Sequence, residues 1–126
     1  MSQTFYKKGF LALAVATALG VSAFAQADVK IGVAGPMTGA NAAFGEQYMK
    51  GAQAAADAVN AAGGVNGNKI QLVIEDEQGK KEEAINVFKK LVFQDKVLMI
   101  FGPTLSNSAQ AANPIAQASK TVVFGT

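Results

Sequence analysis

Val29-Lys30-Ile31-Gly32-Val33-Ala34 alternates and is β-branched, and Gly35-Pro36-Met37-Thr38-Gly39 then breaks the run. This is the pattern of a strand delivered into a turn-rich loop. Downstream, Phe44, Tyr48, Ala52, Ala55, Val59 and Ala62 recur at helical spacing and predict a helix over about 44–62. Its face is mostly alanine, which lets a helix lie close to a sheet. Gly63-Gly64 stops it, and Val65-Asn66-Gly67-Asn68 reads as a tight turn.

The same unit then recurs. Ile70-Gln71-Leu72-Val73-Ile74 is a second strand, ending in Glu75-Asp76-Glu77 and Gln78-Gly79. A helix from about Lys80 to Gln94 places Ala84, Ile85, Phe88, Leu91 and Val92 on one side. Glu82 and Glu83 at its start and Lys89 and Lys90 at its end suit the helix dipole. Val97-Leu98-Met99-Ile100-Phe101 is a continuous apolar run, as expected of a strand covered on both faces. Gly102-Pro103-Thr104-Leu105 breaks it. A helix over Ser106–Ser119 follows, with Ser106 as candidate N-cap and Pro114 expected to kink or restart it. Thr121-Val122-Val123-Phe124 is a fourth strand. The order β-α-β-α-β-α-β with short connections predicts an α/β fold, a parallel sheet with helices on both faces reached by right-handed crossovers.

The chain has 126 residues, 50% hydrophobic, with a formal charge of +2. The excess charge sits in Met1–Ala27, which holds Lys7 and Lys8 and no acid. Residues 28–126 carry 9 Lys against 9 acidic residues, so the basic balance says nothing of nucleic acid. Lys7-Lys8, the apolar stretch Phe10–Phe24 and the small-x-small triplets at Ala23–Ala25 and Ala25–Ala27 form a secretory signal pattern, with cleavage expected after Ala25 or Ala27. The apolar stretch is shorter than the roughly 20 residues of a spanning helix, and nothing else in the chain is long or apolar enough to span a bilayer. Without a cysteine at the cleavage site no lipid anchor can form, and without a twin arginine the folded-protein route is not used. The expected location is the periplasm of a two-membrane host.

Chemistry is narrowed by what is missing. The chain contains no Cys, His or Arg. That removes thiol nucleophiles, the usual general base, the commonest zinc ligands and the bidentate clamp for anions. A binding protein fits this composition better than an enzyme, and no metal or cofactor is expected. Ligands of open α/β sheets sit beyond the carboxyl ends of the strands. The candidate loops are therefore Gly35–Gly45, Asp76–Gly79, Gly102–Ser106 and Gly125–Thr126. The first has neither the Gly-x-Gly spacing of a dinucleotide loop nor a phosphate-loop pattern. In the third, Ser106 opens a helix whose first N–H groups can receive a carboxylate or phosphate. Capping its own helix is the commoner role for such a serine, and a hydroxyl can do both. Glu75-Asp76-Glu77 reads as a solvated strand end rather than a metal site, because no second cluster completes an oxygen shell. Phe44 and Tyr48 read as packing residues, with Phe44 also at the mouth of the first loop.

The stretches Val29–Gly39, Phe44-Gly45-Glu46-Gln47, Gly51–Ile70, Gly102–Ser108 and Asn113-Pro114-Ile115-Ala116 together resemble the branched-chain amino-acid (leucine/isoleucine/valine) binding proteins of bacterial ABC importers. The resemblance covers residues 28–126, about a third of the family's usual length. It implies a type I periplasmic binding fold, Rossmann-like, of which 28–126 would be an incomplete N-terminal lobe. It further implies capture of an amino acid between two lobes and docking on a membrane permease. On the same resemblance Ser106 binds the ligand's α-carboxylate, Leu105 and Thr104 line the same rim, and Phe44 stands where the family has an aromatic cover. The family's Asp-Asp-x-x-Asp-Pro-like segment is Asp76-Glu77-Gln78-Gly79-Lys80-Lys81 here, so no ligand contact carries over to that loop. The acid that would grip the ligand's ammonium lies outside the matched stretch, and residues 28–126 alone are expected to bind weakly or not at all. Two other readings compete: a relative recognising amides, urea or aromatic acids, or acting as a ligand sensor, and a secreted Rossmann-like enzyme.

Overall fold

The computed structural model describes residues 27–125. The signal reading on Met1–Ala27 lies outside them except for Ala27. Four strands, β1 (Val29–Gly35), β2 (Ile70–Asp76), β3 (Met99–Phe101) and β4 (Val122–Phe124), form one sheet in the order β2-β1-β3-β4. Every pairing is parallel. Three helices connect them: α1 (Ala42–Ala61), α2 (Lys81–Lys89) and α3 (Ser106–Ala118). The expected alternation and parallel sheet are therefore present.

Alternation along the strands sorts side chains to two faces. Ala34 on β1 and Ile100 on β3 turn to the α2 and α3 side, where they join Ala84, Val87, Phe88, Leu91, Val97, Ala112 and Ala116 in the buried core. Ile31, Val33, Met99 and Phe101 turn the other way, toward α1. The small side chains of Ala52, Ala55 and Ala56 leave an apolar groove of about 200 Å³ between helix and sheet. Val122 and Phe124 of β4 remain half exposed, at 55% and 54%.

Several expectations are corrected in detail. Helix α1 buries Gly45 and Ala56; of the expected stripe, Tyr48, Ala52, Ala55 and Val59 do turn toward the sheet, while Phe44 is 64% exposed and Ala62 is exposed beyond the helix end. The two buried positions each lie one residue from a member of that stripe, because the small side chains of the inner face leave the groove beside them open. The helix over 80–94 divides: α2 ends at Lys89, and Lys90–Gln94 is a π-helical turn. Strand β3 is shorter than its apolar run, and Leu98 just before it is 67% exposed. Helix α3 runs through Pro114 without a restart. Pro114 and Gln110 both lie on the exposed side, so the carbonyl freed by the missing proline N–H faces water.

The hairpin-like turn is as expected: Val65 and Asn68 exchange both backbone hydrogen bonds, at 2.8 and 2.9 Å. Asn60 ties the end of α1 to the start of β2, donating to the Ile70 carbonyl at 2.9 Å and accepting from its N–H at 2.7 Å. Among the described residues no helix is long and apolar enough to cross a membrane, and no cluster of three or more metal-ligating side chains occurs.

Candidate functional site

The loops after β1, β2 and β3 converge at the carboxyl edge of the sheet. Their placement begins with the three acids at the end of β2, each of which takes a different partner. Glu75 pairs with Lys90, the first residue of the π-helical turn after α2. Asp76 turns to the β1–α1 loop. Its Oδ1 accepts from the N–H groups of Met37 (2.9 Å), Thr38 (3.2 Å) and Gln78 (2.9 Å), and its Oδ2 accepts from the Thr38 hydroxyl at 2.5 Å. Glu77 turns to α3, where its Oε2 accepts from the Ser108 hydroxyl at 2.6 Å. Glu77 and Ser108 are fully buried. The acidic run is therefore not a solvated strand end but a brace for the neighbouring loops. Asp76 closes β2 and Glu77 is the first residue beyond it, and their side chains go to different neighbours, the β1–α1 loop and α3.

Burial pushes the Asp76 carboxyl up, but the hydrogen bonds from Thr38, Gln78 and Met37 outweigh it and hold the group below its ordinary range. A carboxyl whose folded-state pKa is depressed stabilises the fold above its unfolded value, about 3.9. That contribution is lost as pH falls through the lower folded value. Asp76→Ala is accordingly expected to cost about 1–3 kcal/mol at neutral pH and to flatten the acid limb of stability against pH. Urea midpoints measured from pH 7 down to pH 2 check both; an unchanged acid limb would count against the brace.

Helix α1 is set against this loop by a close approach. An added Cβ at Gly45 would lie 2.2 Å from the Pro36 carbonyl oxygen, so the helix start rests directly on loop backbone. One turn along, Tyr48 stacks on Phe101 of β3, with ring centroids 4.6 Å apart and planes 5° from parallel. Burial pushes the Tyr48 phenol up from its ordinary value. Phe44, Gln47, Tyr48, Thr104 and Leu105 line a cavity of about 480 Å³ beyond the strand ends. Three of the four residues singled out from the sequence, Phe44, Thr104 and Leu105, thus share one hollow. Gln47 and Tyr48 join them. Tyr48 was legible as a packing residue of that helix, and it does pack, whereas Gln47 stood out only within the stretch Phe44-Gly45-Glu46-Gln47.

Ser106 follows Leu105 directly and is exposed. It is not the N-cap: Leu105 holds that position with extended backbone, and no side chain caps the helix. Ser106 is the first helical residue, so its hydroxyl is not spent on capping. The first helical bond from this end runs from Ala109 to the Leu105 carbonyl at 2.9 Å. The N–H groups of Ser106, Asn107 and Ser108 are left without helical partners, as at any helix start. A hydroxyl and a helix N-terminus beside a cavity can receive a carboxylate. The pairing of Glu77 with Ser108 was not legible in the sequence, because nothing local marks a glutamate that will be buried.

A family model described as periplasmic binding protein matches residues 28–126. The chain belongs to this family. It is 50% identical over 115 residues to an amino acid binding protein of Pseudomonas aeruginosa, covering 91% of this chain and 31% of that one. A Leu/Ile/Val-binding protein homolog 1 of Brucella abortus is 44% identical over 92 residues, 73% of this chain and 24% of its own length. The crystal structure of the branched-chain amino acid transporter substrate binding protein LivJ from Streptococcus pneumoniae, in complex with isoleucine, superimposes with a TM-score of 0.77. It is 36% identical and covers 79% of this chain and 28% of that one. The chain spans about a quarter to a third of the length of these relatives. The parallel sheet with helices on both faces is the architecture of periplasmic binding proteins.

Proposed function

We propose that this protein is the substrate-binding component of an ABC importer for branched-chain or related amino acids, exported by a cleaved signal to the periplasm and delivering its ligand to a membrane permease. Residues 28–126 supply part of the N-terminal lobe, and the protein performs no reaction. The observation that carries the reading is Ser106: its hydroxyl is spared from capping and stands with three unpartnered backbone N–H groups at the start of α3. In this reading Ser106 and those N–H groups take the ligand's α-carboxylate. Thr104 and Leu105 form the rim, and Phe44, exposed across the same cavity, covers the bound molecule. Family membership over residues 28–126 and the amino-acid-binding relatives support this class of ligand.

Titrating the ¹⁵N-labelled chain with L-leucine tests the assignment. Amides of Ser106–Ser108 and the Phe44 region are expected to shift with millimolar affinity, as befits part of one lobe. Ser106→Ala is expected to weaken the response roughly tenfold, the loss of a hydrogen bond to a charged group. Spectra indifferent to leucine, or an undiminished response in Ser106→Ala, would sink the reading.

A further inference from the structure

Glu77 is an expensive residue to bury. Its side chain is fully enclosed, Oε1 has no hydrogen-bonding partner, and Asp76 stands next to it in the chain. An apolar side chain of similar size would avoid the desolvation cost. What the carboxylate provides is a fixed attachment for α3. Its Oε2 takes the hydroxyl of Ser108, the third residue of that helix, 31 residues away in sequence. The main chain at Glu77 is itself fastened: its N–H donates to the Gly35 carbonyl at 3.0 Å, and its carbonyl accepts from the Lys80 N–H at 2.9 Å. Two further contacts join the same loop to the same helix turn. Asn107 Nδ2 donates to the Gly79 carbonyl at 3.4 Å, and the Leu105 side chain packs over Gly79.

We propose that Glu77 is a positioning residue for the ligand end of α3: through Ser108 it holds the first helical turn, and with it Ser106, in register with the cavity. This rests on the assignment of Ser106 to ligand binding. Glu77 touches no ligand itself and acts only through the helix it anchors.

The electrostatic surroundings make the anchor sensitive to pH. Neither α3 nor the β1–α1 loop from Gly35 to Asn41 contains a charged side chain. On the turn that follows, the Lys80 ammonium donates to Gln78 instead. Asp76 is the charged neighbour. Burial first, then the Asp76 charge, hold the Glu77 carboxyl above its ordinary range, while the Ser108 hydrogen bond and the nearby Gly79 backbone pull the other way. An acid whose folded-state pKa is raised favours the fold below its unfolded value and loses that contribution as pH rises through the folded one. The first turn of α3 therefore changes environment as Glu77 ionises.

The test uses the ¹⁵N-labelled chain and its Glu77→Gln, Glu77→Ala and Ser108→Ala variants, with Ser106→Ala as reference and L-leucine as probe. Without ligand, the amides of Ser106, Asn107 and Ser108 should share one titration midpoint above the ordinary glutamate range, and Glu77→Gln should abolish it. With leucine, Glu77→Ala and Ser108→Ala should weaken the response roughly tenfold, as the loss of a hydrogen bond to a charged group implies. Glu77→Gln still accepts from Ser108 and should stay within about threefold. A part in stability alone would give the opposite pattern, with melting temperatures lowered in both Glu77 variants and leucine responses unchanged. If first-turn amides ignore pH and Glu77→Ala, or if Glu77→Ala and Glu77→Gln bind leucine alike, the proposal is overturned. Should the wild-type chain ignore leucine, the functional assignment fails on its own, and the titration and first-turn shifts still decide the anchor. Ser108→Ala removes one hydroxyl only and decides the same question if Glu77→Ala does not fold.

Discussion

Phe88→Ala is expected to destabilise the protein by about 3–5 kcal/mol, a large share of the 5–15 kcal/mol typical of a folded domain. Phe88 is completely buried, and its cluster includes Ala34, Ala84, Ala112 and Ala116. Small side chains on packed helices and strands cannot swing into the space that a lost ring leaves, so the cavity persists. Phe93, five residues on, is 60% exposed, and Phe93→Ala should change stability by no more than about 0.5 kcal/mol. Urea denaturation of the two variants reads the contrast. Equal midpoints would mean that α2 does not dock as described.

The second large effect is at Gly102, between β3 and the loop that leads to Thr104, Leu105 and Ser106. Its φ is +117°, in the left-handed region, and a Cβ there would lie 2.0 Å from the Ala34 carbonyl oxygen. Strain and overlap fall on the same residue, and the obstacle is main chain of central strand β1, which no rotamer change relieves. Gly102→Ala is expected to cost about 3 kcal/mol or more. It should also shift the amides of Thr104–Ser106, because the loop can escape only by moving. Gly51 makes the counterpart: it lies within α1 with nothing near its Cβ direction. Gly51→Ala should stabilise by about 0.5–1 kcal/mol. Opposite signs at the two glycines, seen in thermal or urea unfolding, would confirm that backbone approach and not glycine content governs this chain. A tolerated Gly102→Ala would contradict the loop geometry.

The acidic run marks a limit of local sequence patterns. Glu75, Asp76 and Glu77 are alike in charge and hydropathy, yet one pairs with a lysine, one gathers a loop and one is sealed against a helix. Their alternation on a strand predicts different directions but not what waits there. Helix α1 was more legible: Tyr48, Ala52, Ala55 and Val59, read from periodicity, do face the sheet. Ser106 was legible as a helix start and as a ligand candidate, and its position differed from expectation by one residue. That single step releases its hydroxyl from the cap.

By itself the sequence determined the succession of strands and helices, the glycine stops, the turn at Val65–Asn68 and the edge of the sheet where the candidate loops lie. These follow from interactions spanning a few residues, through periodicity, backbone preference and turn chemistry. Only the tertiary structure decided that Phe44, Tyr48, Thr104 and Leu105 share a cavity, and that Asp76 and Glu77 are braces. The deciding hydrogen bonds join residues 38 and 31 positions apart. Contacts of that range exist only after the sheet has brought its loops together, so no local pattern encodes them.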